Sequence, residues 1–494
     1  MKISISVFIL ALLQGCNALP SISMKAVSVN TLPPVQNLPP IRIEPIPTPA
    51  FVPKQDVEQL NQALDIEESK QSLASATFNL VKANLGSGVL ALPAGIAAFG
   101  DVPSAIIPAS LLMMVLGTFS AYSFYMIPRM TRLDPETQGY KKSLSMSQLW
   151  EKEVGQSTSW IVSLCCVLTP LGTALTWSIV LSDMMSMLAQ SVGLSGMLVS
   201  RQALLLGVTS FALYPLCRLK SLAALSPVSI VGVVGMVCTA IFMTLRALPG
   251  QMAPFLNSIP SQPSFGLIGN NAFSPSALVL VGMCATSLLV HFSAHEFRDD
   301  LQNSTPKRFK MLTGVGFAFT VLMNIIFMAS GFLTFGGNCH SMVLNNYSPK
   351  DIGATVSRLV VAISLLGSYP IIFRAIKSSL FELTHKGREV PEKFNRNVTR
   401  TLLGLVTGAA FFLKDAGIVV SLNGAVMGSA IIYAFPSIIF LKMTNRLVKE
   451  GKMLPTNRLV LERFANKALI GTGSLIAVLG AAVILLQKLK PGFI

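Results

Sequence analysis

The chain has few charged residues, and acidic residues are particularly scarce. Only 12% of its 494 residues are charged, with 22 Asp or Glu against 38 Lys or Arg. Soluble domains carry about 25% charged residues, so this scarcity excludes a soluble protein of several domains. Hydrophobic residues make up 52% of the chain, and its mean hydropathy is +0.62. The composition therefore predicts an all-α, polytopic membrane protein.

Histidine and cysteine are also scarce, which limits metal and disulfide chemistry. The chain has four histidines and no HExxH motif, so it cannot form a zinc-protease motif or a histidine-rich di-iron site. His291, His295 and Glu296 are nevertheless spaced like metal ligands on one helix, which leaves an intramembrane metalloenzyme as an alternative. Of the seven cysteines, only Cys339 lies in a predicted outer loop, where a disulfide would lack a partner. We expect no metal ion and no cofactor.

Long apolar segments recur along most of the chain. A window of about 20 residues, the length that crosses bilayer hydrocarbon, predicts eleven spans. They lie near residues 73–98, 103–127, 159–188, 202–217, 222–245, 275–297, 311–335, 352–377, 399–413, 416–441 and 468–487. The fourth and ninth are short for a span, so ten spans is the alternative.

Basic residues fall in alternate loops between the predicted spans. They follow the even-numbered spans, as Arg129, Arg218, Lys307 and Arg446 show, whereas residues 247–274 carry no charged side chain. The positive-inside rule places these basic loops on the inner side, so span 1 begins inside and the chain ends outside. This alternation favours eleven spans. The basic residues behind the net charge of +16 thus lie in loops between spans. Membrane orientation explains them better than a nucleic-acid partner does.

The first 71 residues differ from the rest of the chain. Residues 1–18 have the layout of a secretory signal peptide, and an uncleaved anchor is the alternative. Residues 19–71 begin with a Pro-rich, acid-poor stretch that predicts a disordered or transit-like segment. A signal followed by a transit segment resembles the bipartite leaders of algae with secondary plastids. Endomembrane or plasma-membrane residence is the competing interpretation, and glycosylation at the Asn346 sequon would indicate it.

One apolar segment is interrupted by polar and small residues. Residues 78–95, FNLVKANLGSGVLALPAG, contain Lys82, Asn84 and the triplet Gly86, Ser87 and Gly88. Hydrocarbon offers no hydrogen-bond partner, so a broken helix persists there only where protein or a water-filled cavity satisfies the freed backbone groups. Half-helix ends of this kind bind carboxylates and cations in secondary transporters. The interruption predicts a binding site, and a kinked packing helix is the alternative.

The broken segment resembles the first span of the amino acid/auxin permease family, whose members share a Gly-Ser/Thr-Gly break followed by Leu-Pro. Further matches occur in chain order at residues 171–183 (LGTALTWSIVLSD), 291–301 (HFSAHEFRDDL), 331–336 (GFLTFG), 368–370 (SYP) and 422–425 (LNGA). The resemblance covers residues 72 to about 490. It implies a transmembrane amino acid transporter domain over residues 72–490.

The resemblance also implies a fold. The family is similar to the leucine-transporter fold, in which spans 1–5 and 6–10 are inverted repeats and span 11 is an addition. The only glycine of span 6 is Gly282, so glycine does not mark a break there. The break is expected among the polar residues, of which Ser287, His291, Ser293 and His295 are the choices.

The site residues follow from the break and from the resemblance. The expected substrate contacts are Asn84, Gly86, Ser87, Gly88, Trp177, His291 and Ser293. Lys82 and Ser368 are expected to act in ion coupling. Sodium-coupled relatives carry Asn at the position of Lys82, whereas proton-coupled relatives carry Lys within a Lys-Gly-Asn-x-Gly-Thr-Gly pattern. Arg374 departs from an apolar family position and is expected at the inner gate or beside Glu296.

These features together predict a secondary transporter that moves neutral amino acids across a lipid bilayer by alternating access, coupled to protons. The partners are the bilayer, the amino acid and protons. An uncoupled amino acid exporter and an amino acid sensor without appreciable flux are the alternatives. Neither of these, nor the transporter, is an enzyme.

Overall fold

The fold is almost entirely helical over the residues that the computed structural model describes. These are 70–100, 102–140, 142–219, 226–248, 275, 277–385 and 391–489. A lone parallel bridge joins Gln71 to Leu301. The leader expected at 1–18, and the segment expected at 19–71 except its last two positions, lie outside the described residues.

The α-helices fall into the expected order of spans. They are α1 (Leu73–Asn84), α2 (Leu92–Phe99), α3 (Ile106–Leu133), α4 (Met146–Glu153), α5 (Gln156–Ser191), α6 (Arg201–Val208), α7 (Tyr214–Leu216), α8 (Ser226–Arg246), α9 (Ala277–Ser287), α10 (Ala294–Asp299), α11 (Pro306–Phe335), α12 (Ile352–His385), α13 (Glu392–Phe412), α14 (Ala416–Leu422), α15 (Phe435–Lys449), α16 (Asn457–Leu475) and α17 (Ala481–Leu489). Wider π-helical turns join α6 to α7, α14 to α15 and α16 to α17.

Each of the eleven predicted segments contains helix. Seven helical stretches of the described residues are long and apolar enough to cross a membrane, and the pair α1 and α2, bent by 44°, forms an eighth. Spans 4, 5 and 9 are the helices α6–α7, α8 and α13. Most helices are longer than the predicted apolar segments, because polar residues form their first or last turns. The helix α4 lies between spans 2 and 3 and was not among the predicted spans.

Local sequence signals explain where several helices begin and end. The Ser72 hydroxyl accepts a hydrogen bond from the Ser75 N–H at the start of α1, and Thr305 caps α11 with Pro306 directly behind it. These are the residue types that satisfy the free N–H groups of a first turn. The helix α11 ends at Phe335 and is followed by Gly336, whose φ of 55° favours glycine.

Spans 1 and 6 pack against each other and against spans 2, 3, 5, 7 and 10. Gly282 of span 6 and Gly424 of span 10 allow the two backbones to touch. A Cβ atom on Gly282 would meet the Ser421 carbonyl, and one on Gly424 would collide with the Gly282 carbonyl. Small residues at such a crossing are typical of helix packing in membranes.

An ion-pair network ties the inner ends of spans 2 and 10 to α4. Arg446 forms ion pairs with Asp134 at 2.7 Å and Glu153 at 2.8 Å, and Lys152 approaches Asp134 at 2.6 Å. Burial alone would raise the pKa of Asp134, but hydrogen bonds from Lys152, the Glu136 N–H and Arg446 bring it below its usual range. The network therefore depends on an ionised Asp134.

The outer side is closed by contacts among spans 3 and 4 and the loop between spans 7 and 8. Arg201 donates to Asp183 at 2.7 Å and to the Leu413 carbonyl at 3.0 Å, and Asn345 donates to Asp183 at 3.4 Å. The neighbouring sequon residue, Asn346, is fully buried and bonds to the backbone of Asn338 and His340. A glycan on Asn346 would have no room in this fold.

Candidate functional site

The interrupted first span is unwound at the predicted triplet. The helix α1 ends at Asn84, Leu85 leaves helical geometry with ψ of 64°, and Gly86 is extended. A 3₁₀ turn over Ser87–Ala91 then leads into α2, with Pro93 in its first turn. The Gly86 N–H bonds only two residues back, to the Asn84 carbonyl at 2.8 Å. The helical hydrogen-bond ladder is therefore broken at this point.

The sixth span is broken at matching depth. The helix α9 ends at Ser287, and a 3₁₀ turn over His291–Ser293 precedes α10. The two breaks adjoin, since a Cβ atom on Gly88 would lie 3.7 Å from Thr286 and 3.9 Å from the Ser287 backbone. The expectation that a span without a glycine-rich motif would break among its polar residues is confirmed.

A cavity of about 2290 Å³ lies between the two breaks and continues to the inner surface. Its walls include Asn84, Gly86, Gly88 and Trp177 near the breaks. They continue past Glu296 and Arg374 to Lys142, Ser143 and Asp300, which lie at the basic, inner end of the bundle. No lining residue comes from the closed outer contacts around Asp183 and Asn345. The site is thus open to one side only.

Asn84 is the most distinctive polar group of the cavity wall. Its side chain is 5% exposed, and neither Nδ2 nor Oδ1 has a hydrogen-bond partner among the described residues. A buried amide atom without a partner costs about 1–3 kcal/mol. A ligand with charged polar groups would offset that cost, whereas a packing role would not require an amide.

Trp177 of span 3 covers the break in span 1. A Cβ atom on Gly86 would lie 3.3 Å from both Cζ2 and Nε1 of the Trp177 indole. The indole also packs on Tyr369 of span 8, with 6.3 Å between the ring centroids. The predicted aromatic wall is therefore present, and glycine at position 86 allows the indole to approach the backbone.

Lys82 lies one turn before the break, toward spans 5 and 8. It is 8% exposed and lines the cavity. A Cβ atom on Gly232 of span 5 would lie 3.5 Å from Lys82 Cε and would collide with Ser364 of span 8. Ser368, one turn further along span 8, also lines the cavity and donates to the Ser364 carbonyl at 2.8 Å. The two residues assigned to ion coupling thus lie on facing walls.

His291 and Ser293 have different surroundings. Ser293 lines the cavity, as expected. His291 is fully buried between spans 2 and 6, where its Nε2 contacts Ser123 Oγ and the Ser120 carbonyl, both at 2.9 Å. In this conformation the structure does not bring His291 to the cavity. Its ring instead connects the break of span 6 to span 2.

The structure adds a cavity residue that the sequence reasoning missed. Thr286, one residue before Ser287, lines the cavity and donates to the Val420 carbonyl of span 10. A lone threonine inside an apolar run gives no signal that separates it from a packing residue. His295 and Glu296 line the vestibule further inward. No cluster of three His, Cys, Asp or Glu side chains that could hold a metal ion occurs in the described part of the chain.

Two broken spans that meet at a cavity open to one side define a secondary-transporter fold. The structure resembles a crystal structure of a manganese transporter from Eremococcus coleocola with a TM-score of 0.53. The match covers 85% of this chain and 88% of that one at 12% identity, so it shows the fold alone.

The chain belongs to the transmembrane amino acid transporter protein family, whose model matches residues 69–486. It is 25% identical over 388 residues to a Danio rerio protein named "Putative sodium-coupled neutral amino acid transporter 11", covering 78% of this chain and 82% of that protein. It is also 22% identical over 389 residues to the Arabidopsis thaliana "Amino acid transporter AVT6E", covering 74% and 75%. The predicted family is confirmed, and the chain is a multi-pass membrane protein.

Proposed function

We propose that this protein moves neutral amino acids across its membrane by alternating access, coupled to protons. The observation that carries the proposal is the Asn84 amide, which has no hydrogen-bond partner among the described residues and lies beside two broken helices in a cavity open only to the inner side. Broken spans place backbone N–H groups and carbonyls where an amino acid's carboxylate and ammonium need partners. Asn84, Gly86, Ser87 and Gly88 are the proposed contacts for these common groups.

The cavity wall favours a neutral side chain. Apart from the Lys82 ammonium, its lining near the breaks consists of uncharged groups, among them Trp177, Thr286, Ser287 and Ser293. The carboxylates and guanidinium of the wall, such as Glu296 and Arg374, lie further toward the inner opening. A substrate with a charged side chain would need an opposite charge beside it, because a buried unpaired charge is costly. The substrate's side chain therefore packs against Trp177.

Lys82 supports protons over sodium as the coupling ion. It occupies the place where sodium-coupled relatives carry Asn, and its ammonium would repel a second cation. At 4 Å two unit charges interact by about 4 kcal/mol at an effective dielectric near 20. The name of the Danio rerio relative gives sodium as the competing ion. Ser368 on the facing wall is the proposed second coupling residue.

Uptake by purified protein in liposomes tests the proposal. The twenty amino acids are supplied separately, and pH and sodium gradients are imposed independently at a clamped membrane potential. We expect neutral amino acids to accumulate when the proton gradient is inward and sodium to have no effect. Sodium-stimulated uptake at constant pH would contradict proton coupling. Equal flux with and without either gradient would indicate an uncoupled exporter, and binding without flux would indicate a sensor.

A matched pair of variants tests the role of Lys82. Lys82→Ala should abolish the response to the proton gradient but leave exchange of bound amino acid at least partly intact. Lys377→Ala is the control, because Lys377 is a partly buried lysine of span 8 that contacts Cys217 and Thr399 and does not line the cavity. Loss of the gradient response in both variants would contradict a specific role for Lys82.

We also propose that residues 1–18 and 19–71 direct the protein to a plastid envelope, with endomembrane or plasma-membrane residence as the alternative. A fluorescent protein fused after residue 70 tests this in a cell with a secondary plastid. Delivery to the plastid, lost when residues 1–18 are deleted, would support the leader. Delivery to the cell surface or vacuole would contradict it.

A further inference from the structure

A second cavity lies on the outside of the bundle, between spans 4 and 9. It measures about 380 Å³ and is lined by Thr209 and Ser210 of span 4 and by Gly404, Gly408 and Phe411 of span 9, among others. The flanking Leu206 and Phe412 are 51% and 82% exposed, so this groove opens away from the bundle. In a membrane protein such a surface faces lipid.

The groove exists because two glycines leave span 9 without side chains on this face. A Cβ atom on Gly404 or Gly408 would meet no atom within 4 Å. Between them, Thr407 donates to the Thr209 hydroxyl of span 4 at 3.2 Å and closes the floor of the groove. The two spans are thus held together behind an open, mostly apolar groove.

A cluster of arginines lies at the inner end of this groove. Arg400 Nε donates to the Tyr214 hydroxyl at 3.0 Å, and Arg218 stacks over the Tyr214 ring at 5.7 Å from its centroid. Arg396 precedes Arg400 by one turn on the same helix face. All three guanidiniums are exposed, and none forms an ion pair with a carboxylate within the described ranges.

We propose that the groove and this arginine cluster together bind one anionic phospholipid of the inner leaflet. The phosphate group contacts Arg396 and Arg400, since guanidinium forms paired hydrogen bonds with phosphate oxygens. An acyl chain then lies in the groove. Gly404 is one turn from Arg400, and Phe412 is twelve residues away, or about 18 Å along the helix. The groove thus runs along span 9 from the arginine cluster to Phe412, beside the outer contact of Leu413.

The charge distribution favours a lipid over a second copy of this chain. Two copies related by a two-fold axis along the membrane normal would meet through the same surface. Their arginine clusters would then face each other and repel. An anionic headgroup instead neutralises the cluster, and basic pockets between spans on the cytoplasmic side are typical binding sites for anionic headgroups.

Native mass spectrometry of the full-length protein in detergent tests the proposal. Dioleoyl phosphatidylglycerol and dioleoyl phosphatidylcholine are titrated separately, and bound lipids are counted. We expect one tightly bound phosphatidylglycerol and no comparable binding of phosphatidylcholine. The double substitution Arg396→Gln and Arg400→Gln should weaken phosphatidylglycerol binding by roughly 25-fold, because each basic residue near an anionic surface contributes about fivefold.

Three further variants separate binding in the groove from general effects of charge and bulk. Gly408→Leu fills the groove and should displace the lipid, whereas Gly471→Leu, also exposed with no atom within 4 Å of its Cβ position, should not. The double substitution Lys307→Gln and Lys310→Gln removes two exposed inner charges from span 7 and should leave affinity unchanged. Equal losses in the test and control variants would overturn the proposal. So would equal binding of the two lipids, or a dimer that Gly408→Leu dissociates without any change in lipid binding.

Discussion

Replacing Asn84 with alanine should separate binding from stability. Both amide atoms are buried without a partner in the part of the chain that the structure describes, and an unsatisfied buried atom costs a folded protein about 1–3 kcal/mol. Removing them should leave the apparent melting temperature of the substrate-free protein unchanged or raised. Substrate affinity should fall, because hydrogen bonds to charged groups contribute about 1.5–3 kcal/mol. That loss corresponds to roughly 10- to 150-fold weaker binding.

Asn346 provides the matched control. It is also buried, but its Nδ2 donates to the Asn338 carbonyl at 2.8 Å and its Oδ1 accepts from the His340 N–H at 2.9 Å. Asn346→Ala leaves both backbone groups without their partner, so it should lower the melting temperature and leave substrate affinity close to that of the unmodified protein. The two substitutions should therefore have opposite effects.

The assay combines thermal unfolding of purified protein in detergent with calorimetric titration of the amino acid that gives the highest uptake. Flux in liposomes provides a second measure of affinity. The reasoning is refuted if Asn84→Ala lowers the melting temperature as Asn346→Ala does while affinity stays unchanged. Asn84 would then be a packing residue of a kinked helix, and the site assignment would fail with it.

Three further predictions test other parts of the structure. Gly86→Ala should raise the KM for uptake several-fold more than Gly88→Ala, because its methyl group would press on Trp177 at 3.3 Å, whereas that of Gly88 meets Thr286 at an ordinary 3.7 Å. His291→Ala should lower the melting temperature without changing the pH profile of transport, and a changed profile would place the coupled proton on His291. The folded-state pKa of Asp134 lies below its unfolded value, so its stabilisation is present at neutral pH and is lost as pH falls through the folded pKa. Asp134→Asn should therefore flatten the acid side of the stability curve, measured by unfolding between pH 3 and 7.

The sequence predicts the first break well because its cause is local. Gly86 and Gly88 adjoin the polar Asn84, so the interruption can be recognised within a few residues. The break in span 6 has weaker local signals: its helix ends at Ser287, whose hydroxyl donates to a carbonyl of the same helix. The sequence limits the position of this break to a set of polar residues. It does not identify the residue at which the helix ends.

His291 shows why the roles of single residues are harder to predict. The sequence of span 6 shows His291 only as a polar residue beside a break. A side chain there could face the cavity or pack against another span. Its packing depends on Ser120 and Ser123, which precede it by 171 and 168 residues. Such a contact forms only when spans 2 and 6 meet, and no periodicity within either span indicates it. Thr286 was missed for the same reason, since its partner lies on span 10.

Under the proposed alternating access, the contacts at the two ends of the bundle predict which parts move when the outer side opens. Asp183, Arg201 and Asn345 join spans 3 and 4 to the loop before span 8, so their contacts must break in the opposite conformation. On the inner side, the Gln71 N–H bonds to the Asp300 carbonyl at 2.8 Å, and the Gln302 N–H bonds to the Gln71 carbonyl at 2.9 Å. These bonds tie the inner ends of spans 1 and 6 together. In the proposed mechanism we therefore expect the inner halves of the two broken spans to move as one unit, which would close the cavity without separating the residues that flank it.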